Sequence, residues 1–196
     1  FTATDLEIQI TTSIEGKAGD GETSAITVGG KKIQEILRIL PDQSKISIEA
    51  KENKAQIKSA KSRFSLQTLP AQDFPKLSNQ LAGAKKITLG QSALKKLLLS
   101  VQYAMAQQDV RYYLNGVLLI VEGNKLKVVA TDGHRLAFNA GIIDGKHERQ
   151  EIILPRKAVL ELCKLLNDSE ESIEIEFSQQ QVKAGFSGIT LVTKVI

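Results

Sequence analysis

Tryptophan is absent from the 196 residues, and there are only one cysteine, one methionine, two histidines and four prolines. Each shortage excludes something. A lone thiol, Cys163, cannot form an internal disulfide and fits a reducing compartment, so the chain reads as cytoplasmic. It falls among the apolar positions of an amphipathic stretch, where a core thiol is the plain reading and a nucleophile is not. No metal-ligand spacing accompanies the two histidines, so no metal site is expected. Neither a glycine-rich phosphate loop nor a nucleophile motif occurs, so no cofactor and no catalytic residue is expected. No apolar run approaches the roughly 18 residues of a membrane-spanning helix, and no membrane partner is expected. Phe1 is preceded by no signal peptide or initiating methionine, and the chain opens inside a strand-like pattern, so it reads as a fragment.

What is present is ordinary for a soluble globular fold: 42% hydrophobic and 24% charged residues. The formal charge of +4 suits a polyanionic partner but is a weak sign alone, because so small an excess is usually a solvated surface.

The hydrophobic periods give the elements. Leu6, Ile8 and Ile10 alternate with polar residues as in a half-buried strand. A loop at Gly16 to Gly21 and a strand at Thr23 to Val28 follow. Lys31 to Leu40 reads as a helix with Ile33, Ile36, Leu37 and Leu40 on one face, stopped by Pro41. Strands are expected at 45–50, 55–59 and 63–69, and Pro70 to Leu81 reads as a connection. Ile87 and Leu89 make another strand, and Gln91 to Ala106 an amphipathic helix. Gln107 to Asn115 is a polar, aromatic loop. Gly116 to Glu122 and Leu126 to Ala130 read as a hairpin about a Gly-Asn turn at 123–124. A strand at Glu151 to Leu154, a helix at Arg156 to Leu166, and strands at 172–177, 181–186 and 188–194 complete the pattern.

The chain repeats itself. Val28 to Leu40 lies on Leu154 to Leu166 with a shift of 126, Lys45 to Glu49 on Ser172 to Glu176 with 127, and Phe64 to Leu66 on Ile189 to Leu191 with 125. Ala3-Thr4-Asp5 echoes Ala130-Thr131-Asp132 with 127. Four matches in order at a nearly constant offset indicate a duplicated domain, since the period is too long for a solenoid unit. The implied fold class is α+β, each unit holding two helices packed on antiparallel sheets.

Several strings carry a family resemblance: Thr4-Asp5-Leu6-Glu7, Ser62-Arg63-Phe64-Ser65-Leu66, Asp73-Phe74-Pro75, Gln108 to Gly116, and Ala130 to Ala137. They resemble the bacterial DNA sliding clamps, the β subunits of DNA polymerase III. That resemblance implies duplicated clamp-type domains, with residues 1–82 the C-terminal part of a first domain, 83–196 a nearly complete second, and a third absent. It implies a non-catalytic processivity factor that dimerises head to tail around double-stranded DNA. It also implies docking of the polymerase catalytic subunit, the clamp loader and other replication and repair proteins through short peptide motifs. The implied peptide cleft uses Leu114, Thr131, Gly133, His134, Arg135 and Leu136. The implied DNA contacts are Gln108, Arg111, Tyr112 and Tyr113 on the loop, and Lys31, Lys32, Lys95, Arg156 and Lys157 on helix faces, with Arg38, Lys96 and Lys164 beside them.

The residues alone leave alternatives open. Lysines opposite an apolar stripe are ordinarily solvated. In the loop, Arg111 can pair with Asp109 while a tyrosine packs beneath, or the same groups can bind phosphates and stack on unpaired bases. Asp132 could orient His134 as a general base, although two positions apart at a turn suits local structure better.

Overall fold

The computed structural model of the chain describes residues 1–16, 25–81 and 83–196. The loop expected at 16–21 and the start of the strand expected at 23–28 lie largely outside the described residues. Two compact units are present: Ile14–Pro75, and Phe1–Ser13 together with Lys76–Ile196.

The larger unit contains a six-stranded antiparallel sheet. Its strands are β1 (Thr2–Thr4), β2 (Ile8–Thr12), β7 (Lys85–Gly90), β10 (Ser172–Phe177), β11 (Gln181–Phe186) and β12 (Ile189–Lys194), in the order β1-β2-β12-β11-β10-β7. Beside it stands a long two-stranded ribbon, β8 (Gly116–Thr131) with β9 (Leu136–Pro155). Two helices, α2 (Gln91–Val101) and α3 (Arg156–Leu165), share one buried cluster with these strands, including Leu98, Val101, Leu126, Leu162, Ile173 and Leu191. Alternation explains the sheet: Ile173, Ile175 and Phe177 on β10, and Val182, Ala184 and Phe186 on β11, point inward while their neighbours do not. Each large side chain so removed from water stabilises by about 1.5–3 kcal/mol.

In the smaller unit, β3 (Ile26–Val28), β4 (Ser47–Lys51), β5 (Lys54–Ser59) and β6 (Ser62–Pro70) form a sheet in the order β3-β6-β5-β4, with α1 (Gly30–Ile39) against it. Its buried core is Ile36, Ile57 and Leu66, with Val28, Ile33 and Phe64 partly covered.

The repeat is visible in the elements themselves. α1 and α3 start and end 126 residues apart, and β5 and β11 start and end 127 apart. Ile26 pairs with Pro70 in the first copy, and in the second the Ile196 N–H donates to the Ile153 carbonyl.

Three expectations need correction. No hairpin turns at Gly123-Asn124; β8 runs straight through it, and the ribbon turns instead at Asp132 to Arg135. Val117, Leu119 and Val121 are buried before that point and Leu126, Val128 and Ala130 after it, so the inward phase slips by one residue. Gly123, at φ +61°, absorbs the slip where the pairing register shifts. Secondly, the strand expected at 151–154 is the end of the 20-residue β9. Finally, the helix expected to reach Ala106 ends at Val101 and continues as a 3₁₀ turn, Gln102–Ala104.

Candidate functional site

The ribbon turn is built from its own side chains. Asp132 Oδ1 accepts the backbone N–H groups of His134 (2.9 Å) and Arg135 (3.0 Å), and Thr131 Oγ1 accepts that of Gly133 (3.1 Å). The Thr131 hydroxyl in turn donates to the Arg135 carbonyl at 2.7 Å. Gly133 sits at φ +89°, where glycine is unstrained. The two N–H donors, with Arg135 Nε at 3.0 Å, hold the Asp132 carboxyl down to about 2. That carboxylate is spent on the turn and on Arg135. It does not orient the imidazole of His134, so no catalytic dyad forms.

The same device closes the first copy. Asp5 Oδ1 accepts the N–H groups of Glu7 (3.0 Å) and Ile8 (2.9 Å), Thr4 Oγ1 accepts that of Leu6 (3.1 Å), and the Thr4 hydroxyl donates to the Ile8 carbonyl (2.8 Å). Leu6 occupies the glycine's place at φ +78°. Burial pushes the Asp5 carboxyl up, but its ion pair with Lys157 and the two N–H donors outweigh this and hold it at about 2.

Arg111 ties the loop after α2 to the ribbon turn. Its Nε and Nη2 donate to the two carboxylate oxygens of Asp109 at 3.0 and 2.9 Å, and Nη2 reaches the Asp132 carbonyl at 3.4 Å. Paired this way, Asp109 falls to about 2. The loop is closed by Asn115, whose amide accepts the Asp109 N–H and donates to the Asp109 carbonyl. Both tyrosines stay outside, edge to face at 5.9 Å, with Tyr112 68% exposed. Arg111 therefore takes the structural pairing while the rings remain available.

Two hollows gather candidate residues. One, of about 390 Å³, brings His134 and Arg135 together with Asp109, Arg156 and Tyr103. The Arg135 guanidinium lies 5.6 Å from the Tyr103 ring centre, a cation–π distance. The other, of about 690 Å³, brings Gln108, Tyr112, Arg156 and Lys157 to one groove. Neither hollow is lined by Leu114 or Leu136. Leu114 is half-buried and its carbonyl accepts the Ala106 N–H. Leu136 is 66% exposed and shares one face of β9 with exposed Phe138 and Ile142. Of the helix-face cations, Lys31 and Lys32 are exposed on α1 in the smaller unit, Lys95 pairs with Asp168 at 3.1 Å, and Lys157 with Asp5. Arg156 Nη1 donates to the Met105 carbonyl at 3.3 Å.

Comparison with known proteins matches both copies. Residues 1–78 match the family model of the DNA polymerase III beta subunit, N-terminal domain, and residues 88–196 that of its central domain. The chain belongs to the β sliding clamp family. It is 38% identical over 196 residues to the beta sliding clamp of Vibrio cholerae and 41% over 199 to that of Pseudomonas putida, covering all of this chain and 53% of each relative. The crystal structure of the DNA polymerase III subunit beta from Pseudomonas aeruginosa superposes with a TM-score of 0.91 at 40% identity, again over the whole chain and 53% of that protein. The chain thus spans about half the length of the curated clamps it matches, and the architecture is the clamp fold of helices on antiparallel sheets.

Some residues lining these hollows escape sequence reasoning. Tyr103 was expected inside a helix, and only the early end of α2 frees its ring to meet Arg135. Phe138 continues the exposed face of β9 begun by Leu136. Lys194 and Leu160, which line the larger groove, come from separate elements and carry no local motif.

Proposed function

We propose that this chain forms part of a processivity clamp of bacterial DNA replication, with residues 1–82 ending one clamp domain and 83–196 forming the next. In this reading it has no catalytic role, acts in the cytoplasm, and belongs to a head-to-tail homodimeric ring around duplex DNA. Its partners are the polymerase catalytic subunit, the clamp loader and repair proteins. A sliding surface needs sequence-independent attraction to phosphate, and Lys31, Lys32, Lys95, Arg156 and Lys157 supply dispersed positive charge on helix faces. Lys95 and Lys157 carry carboxylate partners, so their share is the smaller.

The ribbon turn is the docking element. The carrying observation is the hydrogen bonding of the turn: Thr131 and Asp132 spend their side chains closing it, which leaves His134, Arg135 and Leu136 exposed. A preset apolar wall with polar rims suits a short peptide, because little ordering cost remains at binding. Thr131 and Gly133 shape the turn, and Leu114 backs the loop beside it. In the same reading Gln108, Tyr112 and Tyr113 meet DNA, while Arg111 positions the loop.

The test titrates a fluorescent peptide with glutamine at one end and leucine-phenylalanine at the other. Saturable binding to the wild type, and an affinity lower by at least about tenfold for Leu136→Asp, is the expected outcome for an anchor residue. Equal binding to both would remove Leu136 from the cleft. No binding, even to a chain carrying all clamp domains, would sink the docking assignment.

A further inference from the structure

The two copies of the Thr-Asp turn differ in the residue that ends them. Ile8 is the repeat equivalent of Arg135. The first turn closes through Thr4, Asp5 and the same set of backbone N–H groups with that isoleucine buried, so the turn itself has no need of an arginine. Arg135 is nevertheless held twice. Its Nε donates to Asp132 Oδ2 at 3.0 Å along one edge of the guanidinium, and its Cζ lies over the Tyr103 ring, 5.6 Å from the ring centre. Its Nη1 and Nη2 make no hydrogen bond among the described residues. Tyr103 is placed just as firmly. Helix α2 ends at Val101, whose φ of −123° leaves the helical path, and the 3₁₀ turn that follows is anchored by buried Ala104 and Met105. The Ala106 N–H then donates to the Leu114 carbonyl at 3.0 Å. The backbone is thus tied down on the far side of a ring that is itself 58% exposed.

A ring so exposed adds little to a core, but against a guanidinium it has a use. Arginine is long and loses rotamer freedom when a ligand immobilises it, a cost that falls when the side chain is already in place. Its planar face can stack on an aromatic ring while its edges keep their donors, which an ammonium cannot do. We propose that Tyr103 is a positioning residue for peptide docking: its ring and the Asp132 carboxylate hold the Arg135 guanidinium between them, so that the unspent Nη groups meet an oxygen acceptor of the docked peptide. The hollow of about 390 Å³ that both residues line gives that acceptor room. Tyr103 itself acts through Arg135 and not on the peptide. The inference rests on the reading of the ribbon turn as the docking element, and it adds a residue from another part of the fold that sets how tightly that element binds.

The fluorescent peptide with glutamine at one end and leucine-phenylalanine at the other is titrated into the wild type, Tyr103→Leu, Tyr103→Phe, Arg135→Ala and the double variant Tyr103→Leu/Arg135→Ala. Arg135→Ala should weaken docking. Tyr103→Leu should weaken it about two- to fivefold, because the population of the placed guanidinium falls by as much as an exposed cation–π contact had favoured it. Tyr103→Phe should bind like the wild type, since the ring and not the hydroxyl faces the cation. Once Arg135 is gone, Tyr103→Leu should cost nothing further, the non-additivity of a residue that acts through another. A merely structural effect of the substitution would persist in that background. The inference is overturned if Tyr103→Leu binds like the wild type, if its loss is undiminished in Arg135→Ala, if Arg135→Ala binds like the wild type, or if Tyr103→Phe falls as far as Tyr103→Leu. Leu136→Asp separates the two readings. Binding that this substitution removes but that ignores Tyr103 overturns the positioning role alone, whereas no binding by the wild type, even in a chain carrying all clamp domains, overturns the docking reading and the inference together.

Discussion

At the scale of single residues, the turn aspartates carry the most specific energetics. Asp132 and Asp5 both lie at about 2, below an ordinary carboxylate near 3.8, Asp132 because two backbone N–H donors favour the charged form and Asp5 because its burial is outweighed by Lys157 and then two N–H donors. A carboxyl depressed in the folded state adds stability that is complete above its unfolded value and vanishes as pH falls through the folded value. The two turns should therefore loosen between about pH 4 and pH 2. Unfolding midpoints measured across that range should fall with acid in the wild type and fall less steeply in Asp132→Asn, which has no proton to gain. Parallel curves for the two would remove Asp132 from the acid response. Glycine carries the other sharp constraint. A Cβ at Gly116 would press on the Leu154 carbonyl and the Ile153 side chain across the ribbon, and its two strands would have to part to admit it. Gly116→Ala should cost well over the ~1 kcal/mol typical of a point substitution, read as a lowered denaturant midpoint at unchanged slope.

Elements show what a sequence can and cannot say. Helices α1 and α3 and the strands β4, β5, β6, β10, β11 and β12 were legible, because the repeat states each of them twice. The ribbon was legible in composition but not in connection. Gly123 does take a positive φ, and only the phase of burial on either side reveals that it marks a slip rather than a reversal. The pairing of β2 with β12 was not legible at all, since it joins residues near opposite ends of the chain and no local pattern encodes a partner so distant. Within the candidate site, the Thr-Asp-Gly turn could be read because its chemistry is local. The Arg111–Asp109 pair could be read only as one of two options. The groove between α3, β12 and the loop could not be read, because its walls come from three separated segments. Helix α2 owes its place to burial: Leu94, Leu97, Leu98 and Val101 are nearly or wholly inaccessible.

For the molecule as a whole, duplication of sequence has not given duplication of core. The larger unit buries a continuous cluster across two helices and seven strands, whereas the cluster of the smaller unit is Ile36, Ile57 and Leu66 beside one described helix. On α1, Leu37 is 42% and Ile39 69% exposed, while their repeat equivalents Cys163 and Leu165 on α3 pack against the main cluster. Local opening free energy follows buried apolar contact, so equivalent strands should differ in protection. Amide hydrogen exchange compares them directly, strand for strand: β5 should exchange well before β11, although the two share length, pairing direction and place in the repeat. If β5 and β11 exchange together, stability is shared across the chain and the small core is not its weak point. If β5 leads, substitutions at Ile57 should unfold only its own unit, and the ribbon turn with its docking residues should keep its peptide affinity through that loss.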